Sequence, residues 1–296
     1  SPAEPGGPAA RRRPAGVARL APAPTQAVPV PLRPLTLGEI LDGGFDTLRI
    51  SPGLILGLAA AVVVPAELVS TWFERDLLDG NPWRYVVDRP WRFLIDSGTG
   101  TVDPSAAAML VGFALALVVP ALVAVAVGRV LSAWYAGTQI TGAAATATLV
   151  RRGWVVLLLA PVRAAAGLVL FGVPLVLLVL TGPVVGIEGV GPAEALARSS
   201  RLVTRRFGSA LGFYLLSAFL FILLTASLNL VALVFAEIFL GGLGWVLLVC
   251  ASIGVRVLLT AFLAAATCLL YLDSRVRVEG LDLELMLIDE WPAARR

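Results

Sequence analysis

Residues 207–235, FGSALGFYLLSAFLFILLTASLNLVALVF, carry no charged side chain. As a helix this run reaches about 44 Å, more than the ~30 Å hydrocarbon core of a bilayer. A helix that is apolar all round has no aqueous surface to occupy, so the chain must fold in a membrane. The residues just before it, GVGPAEALARSSRLVTRRFG, read instead as a strongly basic amphipathic helix. A basic helix lying on a membrane and feeding a spanning helix is the unit from which the chain is built.

Composition matters for what it excludes. Only 15% of the 296 residues are charged, against about 25% in soluble domains, and the apolar excess is gathered into long runs. Every basic residue is Arg and there is no His, which removes the commonest general base and metal ligand. Cys250 and Cys268 lie on one apolar run, about 27 Å apart along a helix, and cannot pair with each other. No metal and no cofactor is therefore expected. The chain also lacks a Walker loop, a Rossmann glycine pattern and paired catalytic carboxylates, so neither an enzyme nor a nucleic-acid binder is expected.

In chain order, residues 1–34 are Pro- and Arg-rich and read as a disordered cytoplasmic tail. Thr36-Leu37-Gly38-Glu39 is a capping-box pattern that opens an amphipathic helix of about fourteen residues, ended by Ser51-Pro52. A first span follows at about 52–73. An acidic, aromatic-rich outer loop covers 74–104, with Trp83, Tyr85, Trp91 and Phe93 placed for the headgroup level. The second span covers 105–135, with Pro120 as its kink. A weaker amphipathic segment then ends in Arg151-Arg152. From Trp154 to Ile187 one straight helix would reach about 51 Å and would put the next arginines outside, against the positive-inside rule. Two spans, 154–171 and 173–187, broken at Gly172 and Pro174, satisfy both constraints, the second being short enough for a partial or re-entrant crossing. Spans at 207–235 and 245–272 complete the membrane domain, 35–280. Residues 281–296 form a short acidic amphipathic cytoplasmic tail.

The expected fold is thus an all-α integral membrane protein with about six transmembrane helices in three hairpins. A short amphipathic interfacial helix precedes each hairpin, and aligning Glu39 with Glu194 suggests an internal repeat. The expected location is a bacterial plasma (inner) membrane, multi-pass, with both termini cytoplasmic.

Three stretches carry a resemblance: PLTLGEILDGGFDTL before the first span, EGVGPAEALARSSRLVTRRF before the fifth, and YLDSRVRVEGLDLEL after the last. Together, over about residues 34–288, they resemble the membrane domain of glycerophosphoryl diester phosphodiesterase, in particular its stand-alone actinobacterial members. In the two-part proteins of that family, hydrolysis belongs to a separate soluble barrel using histidines, carboxylates and a divalent metal. This chain has no His and no segment long enough for such a barrel. The resemblance therefore implies the role of the membrane part alone. The family's longer, arginine-containing fourth helix has no counterpart in LVLLVLTGPVV.

Two groups of residues are candidate sites. Arg198, Arg201 and Arg205, with Arg206 beside the last, form a stripe that either binds lipid headgroups or another anion, or anchors the fifth span. Attraction to an anionic leaflet amounts to about 1 kcal/mol per arginine. Arg163 and Arg256 lie deep inside apolar runs, where a central arginine faces the bundle interior or a wet cavity. Glu67 and Glu237 are their possible partners, and Asn229 is a candidate interhelical hydrogen-bond donor. The expected role is a non-catalytic membrane scaffold or lipid-interacting module, in contact with membrane lipids and their anionic headgroups, with a membrane protein as a further candidate partner. The alternative is a small transporter or lipid-handling permease with an arginine-lined polar site. The sequence leaves the oligomeric state open.

Overall fold

The computed structural model describes residues 30, 33–73, 106–168, 173–239 and 244–280, which form ten helices and no strand. The outer loop, the acidic tail and most of the N-terminal tail lie outside the described residues, as does the side chain of Glu237. The helices are α1 (Leu37–Ile50), α2 (Pro52–Phe73), α3 (Ala106–Tyr135), α4 (Gly142–Leu158), α5 (Ala160–Leu168), α6 (Val173–Leu177), α7 (Thr181–Glu188), α8 (Pro192–Arg205), α9 (Phe207–Phe239) and α10 (Gly244–Glu279).

Helices α3 and α10 form the centre, with α1, α2, α7 and α9 packed around them. Val123, Val127, Leu131, Ala265 and Cys268 are buried there, in a cluster shared with Ile55 and Leu58 of α2. The surface of the bundle is apolar as well: Trp154, Leu157, Phe219, Ile222, Val231 and Phe235 are all exposed. Such outward faces suit lipid, because a soluble monomer rarely exposes large contiguous apolar patches.

Among the described residues, four helices are long and apolar enough to cross a membrane, over Pro52–Ser70, Leu110–Tyr135, Phe207–Ala232 and Cys250–Glu279. The α4–α5 pair makes a fifth if its two bent halves count as one span. The region expected to hold the third and fourth spans is built differently from the reading above. Helix α4 begins at Gly142, capped by the Thr141 side chain on the Ala144 N–H, and so includes the Arg151-Arg152 pair. It ends at Leu158, and α5 leaves it at 47°. The cause is Pro161, which has no N–H for the Leu157 carbonyl and whose ring clashes with that carbonyl. The span expected at 173–187 is itself two short helices, α6 and α7, separated by a turn at 178–180. Pro174 and Pro183 sit in their first turns, where a missing N–H does no harm.

Around this interrupted region the ends are well formed. Helix α7 stops at Gly189, whose φ of 67° is the left-handed cap that favours glycine, and whose N–H reaches the Val185 carbonyl. At the start of α1 the capping box is closed: Thr36 Oγ1 accepts from the Glu39 N–H at 3.3 Å, and Glu39 Oε2 accepts from the Thr36 N–H at 2.7 Å. These bonds, with Arg33 beside it, pull the Glu39 carboxyl down to about 2. Helix α1 packs on α10, where Gly44 faces Ala266 and Phe45 meets Phe262 edge-on at 5.6 Å.

Candidate functional site

One end of the bundle collects the start of α1, the end of α3, α8, the start of α9 and the end of α10. Tyr135 donates to the Val30 carbonyl at 2.6 Å, and the Leu35 N–H donates to Asp273 Oδ1 at 2.7 Å. Most of the described arginines lie here. Helix α8 positions the basic stripe: Ala195, Ser199, Leu202 and Val203 bury one face, which leaves Arg198, Arg201 and Arg205 to the other. The Ser199 hydroxyl fixes that face by donating to the Leu177 carbonyl at 2.6 Å.

The four arginines of the stripe do not act together. Arg198 folds back into a knot with Glu188, which accepts from its Nε at 3.1 Å and its Nη2 at 2.8 Å. Its Nη1, and Nη2 again at 2.9 Å, donate to Glu279, which also accepts from Arg275 Nε at 3.0 Å, and the Tyr271 hydroxyl donates to Glu188. Burial opposes ionisation of Glu188, but the hydrogen bonds from Arg198 and Tyr271 outweigh it and hold its carboxyl below the usual range. The same hydrogen bond from Arg198 to Glu188 raises the guanidinium further above its already high value.

Arg206 belongs to a second knot. It donates to Asp273 Oδ2 and, at 3.1 Å, to Ser209 Oγ. Arg277 donates from Nε to Asp273 Oδ1 at 2.8 Å and from Nη2 to the Leu35 carbonyl at 2.7 Å. A recess of about 230 Å³ opens beside these groups, walled also by Ile40 and Leu270. The side chains of Arg201 and Arg205 stay exposed at the surface, with no hydrogen bond or ion pair to another described residue.

Of the two deep arginines, Arg163 is closed off and Arg256 is paired while still part-exposed. Arg163 is 8% exposed. Its Nε donates to the Leu117 carbonyl at 3.1 Å, and its Nη1 to the Leu178 carbonyl at 2.9 Å and Thr181 Oγ1 at 2.7 Å. Leu117 lies three residues before Pro120, in the turn that a proline ring disturbs, and Leu178 lies in the turn between α6 and α7. The guanidinium therefore ties α3 to the turn between α6 and α7, where the Leu178 carbonyl also accepts from the Thr181 N–H and hydroxyl, and no carboxylate among the described residues pairs with it. Arg256 of α10 donates to Glu67 of α2 at 2.7 Å. Asn229 is buried on α9, and its Oδ1 has no hydrogen-bond partner.

Reading the sequence missed Asp273 as the shared acceptor of the second knot, together with Glu188, Tyr271 and Glu279 in the first. The DSRVRVE segment advertised a basic return to the membrane face. Its acids pair locally with Arg277 and Arg275 at i,i+4, and their further partners Arg206 and Arg198 lie far away in the chain, where no local pattern marks them. Among the described residues no three His, Cys, Asp or Glu side chains gather where they could hold a metal ion. The resemblance stated above rests on its three motifs alone: no family model, no curated protein and no solved structure matches the chain.

Proposed function

We propose that this chain is a non-catalytic scaffold or lipid-interacting module of a bacterial inner membrane, with the arginine-rich end in the cytoplasm. The positive-inside rule supports that orientation, since Arg129, Arg201, Arg205 and Arg277 all belong to segments at that end. One observation carries the reading. Both deep arginines that a polar transport path would use are engaged, Arg163 by carbonyls and Thr181, Arg256 by Glu67. Arg201 and Arg205 meanwhile face outward, where an anionic leaflet would meet them. The membrane part of the glycerophosphoryl diester phosphodiesterase family is the role this reading adopts.

A second reading, a small permease, draws on the broken helices around Arg163, because interrupted helices commonly flank transporter sites. Purification in mild detergent separates the two. A stoichiometric protein partner or retained anionic lipid supports the module. A retained small solute that disappears with Arg256→Ala would sink it in favour of the permease.

A further inference from the structure

We propose that the recess between α1, α9 and α10 binds a phosphate group, carried either by a phospholipid headgroup or by a small phosphate ester at the same face. The inference rests on reading this end of the bundle as a membrane surface, and it assigns a ligand to a place the stripe alone did not define.

The charges are arranged for it. Asp273 engages both guanidiniums, yet one carboxylate cancels only one of two positive charges. The acid also lies at the back: its side chain is 1% exposed, against 21% for Arg206 and 34% for Arg277. An anion entering the recess meets the cations first. Donors remain for it as well. Arg206 Nε and Arg277 Nη1 have no hydrogen-bond partner among the described residues, while the other nitrogens are used to hold the two groups in place. Fixing the guanidiniums beforehand removes most of the side-chain ordering that a ligand would otherwise impose.

Geometry and size select the chemistry. The two guanidiniums come from different elements, the α8–α9 junction and the end of α10, so they approach from two directions. A tetrahedral phosphate can present oxygens to both, whereas a planar carboxylate is matched by a single fork. A volume of about 230 Å³ is smaller than the roughly 300–1,000 Å³ usual for ligand pockets, which suits a headgroup rather than a whole lipid. Ile40 and Leu270 line the remaining wall with apolar atoms, against which glycerol carbons can rest.

The test uses the full chain in mild detergent, with native mass spectrometry of added short-chain phosphatidylglycerol, of diacylglycerol as the phosphate-free control, and of inorganic phosphate as competitor. Wild type should retain one phosphatidylglycerol per chain and no diacylglycerol. Arg277→Gln should weaken that retention by about tenfold, the effect of one hydrogen bond to a charged group. Ser209→Leu should weaken it as well, by filling the recess while leaving all three charges. The Arg201→Gln/Arg205→Gln double variant should retain the lipid. Displacement of the lipid by millimolar phosphate assigns the site to a small ester, and retention against it assigns the site to a headgroup. Diacylglycerol held as well as phosphatidylglycerol, or normal retention in Ser209→Leu, overturns the proposal. Loss in the Arg201/Arg205 variant alone also overturns it, and leaves the broader lipid-interacting reading standing.

Discussion

Leu35 donates its backbone N–H to Asp273 Oδ1 at 2.7 Å, although 238 positions separate them in the chain. The same carboxylate holds Arg206 at the start of α9 and Arg277 on its own helix. Three segments are thus fastened at this end of the bundle through one buried side chain.

Asp273→Ala should therefore destabilise more than removal of either arginine. It strips the acceptor from a backbone N–H and leaves two guanidiniums facing each other. Breaking a buried pair by removing one partner costs about 3–5 kcal/mol, and the partial exposure of both arginines puts this case near the lower figure. Asp273→Asn keeps an acceptor for Leu35 and should fall between the two. Thermal unfolding in detergent should rank wild type above Asn and Asn above Ala. An Ala variant as stable as Asn would remove Asp273 from this role.

Three glycine pairs at four-residue spacing look alike in the sequence, and the structure separates them. A Cβ on Gly186 would lie 2.3 Å from the Val125 carbonyl oxygen, and one on Gly182 would lie 2.6 Å from that of Ala121. Here α7 and α3 meet backbone to backbone, as small residues allow in membrane bundles. Gly53, Gly57 and Gly208 have nothing within 4 Å of such a Cβ, and Gly212 meets only Leu37 at an ordinary 3.5 Å. Gly186→Ala should thus destabilise by about 1–3 kcal/mol or more through overpacking. Gly57→Ala should be neutral or stabilising by up to about 1 kcal/mol, since Ala is the better helix former. Equal melting temperatures for the two variants would refute the close α3–α7 contact.

These contrasts show what a single sequence carries. The Thr36–Glu39 capping box was readable because both of its bonds are local. The long apolar helices were readable from length and charge alone. The break after Leu158 was legible in principle from Pro161, but the apolar run continues through it and no change of composition marks the bend. The arginine stripe was correct as helix periodicity and incomplete as a site. Arg198 is taken by Glu188 and Glu279, ten and 81 positions away, and Arg206 by Asp273, 67 positions away. Pairings of that range come from tertiary packing, which leaves no local trace.

The Glu188 knot gives the end of the bundle a pH dependence. The folded carboxyl titrates below its ordinary value because Arg198 and Tyr271 donate to its ionised form, with Arg275 nearby, in spite of burial. A lowered folded pKa means that the stabilisation is complete above the unfolded carboxylate range, near pH 4.3, and fades as pH falls through the folded value. Wild type should lose melting temperature as the pH drops from 6 to about 3, and Glu188→Gln should show a shallower slope over the same window. At pH 7 the Gln variant should be the less stable of the two, because Arg198 loses part of its pairing. Parallel slopes for the two proteins would mean that Glu188 does not report this knot.

Arg163 ties together the parts of the fold that departed most from a set of straight spans. Its guanidinium joins the Leu117 carbonyl of α3 to Leu178 and Thr181 at the α6–α7 turn. Arg163→Met would take the side-chain donor from the buried Leu117 carbonyl, whereas Leu178 and Thr181 still bond each other, and a buried group left unsatisfied costs about 1–3 kcal/mol. A total loss of about 1–3 kcal/mol is therefore expected. Arg163→Lys should rescue little, because an ammonium is a single point of donation and cannot span from α3 to the turn as the planar fork does. Thermal unfolding and cysteine accessibility at Val179 should change together in both variants. A Lys variant as stable as wild type, with Val179→Cys still protected, would show that the charge matters and the fork does not.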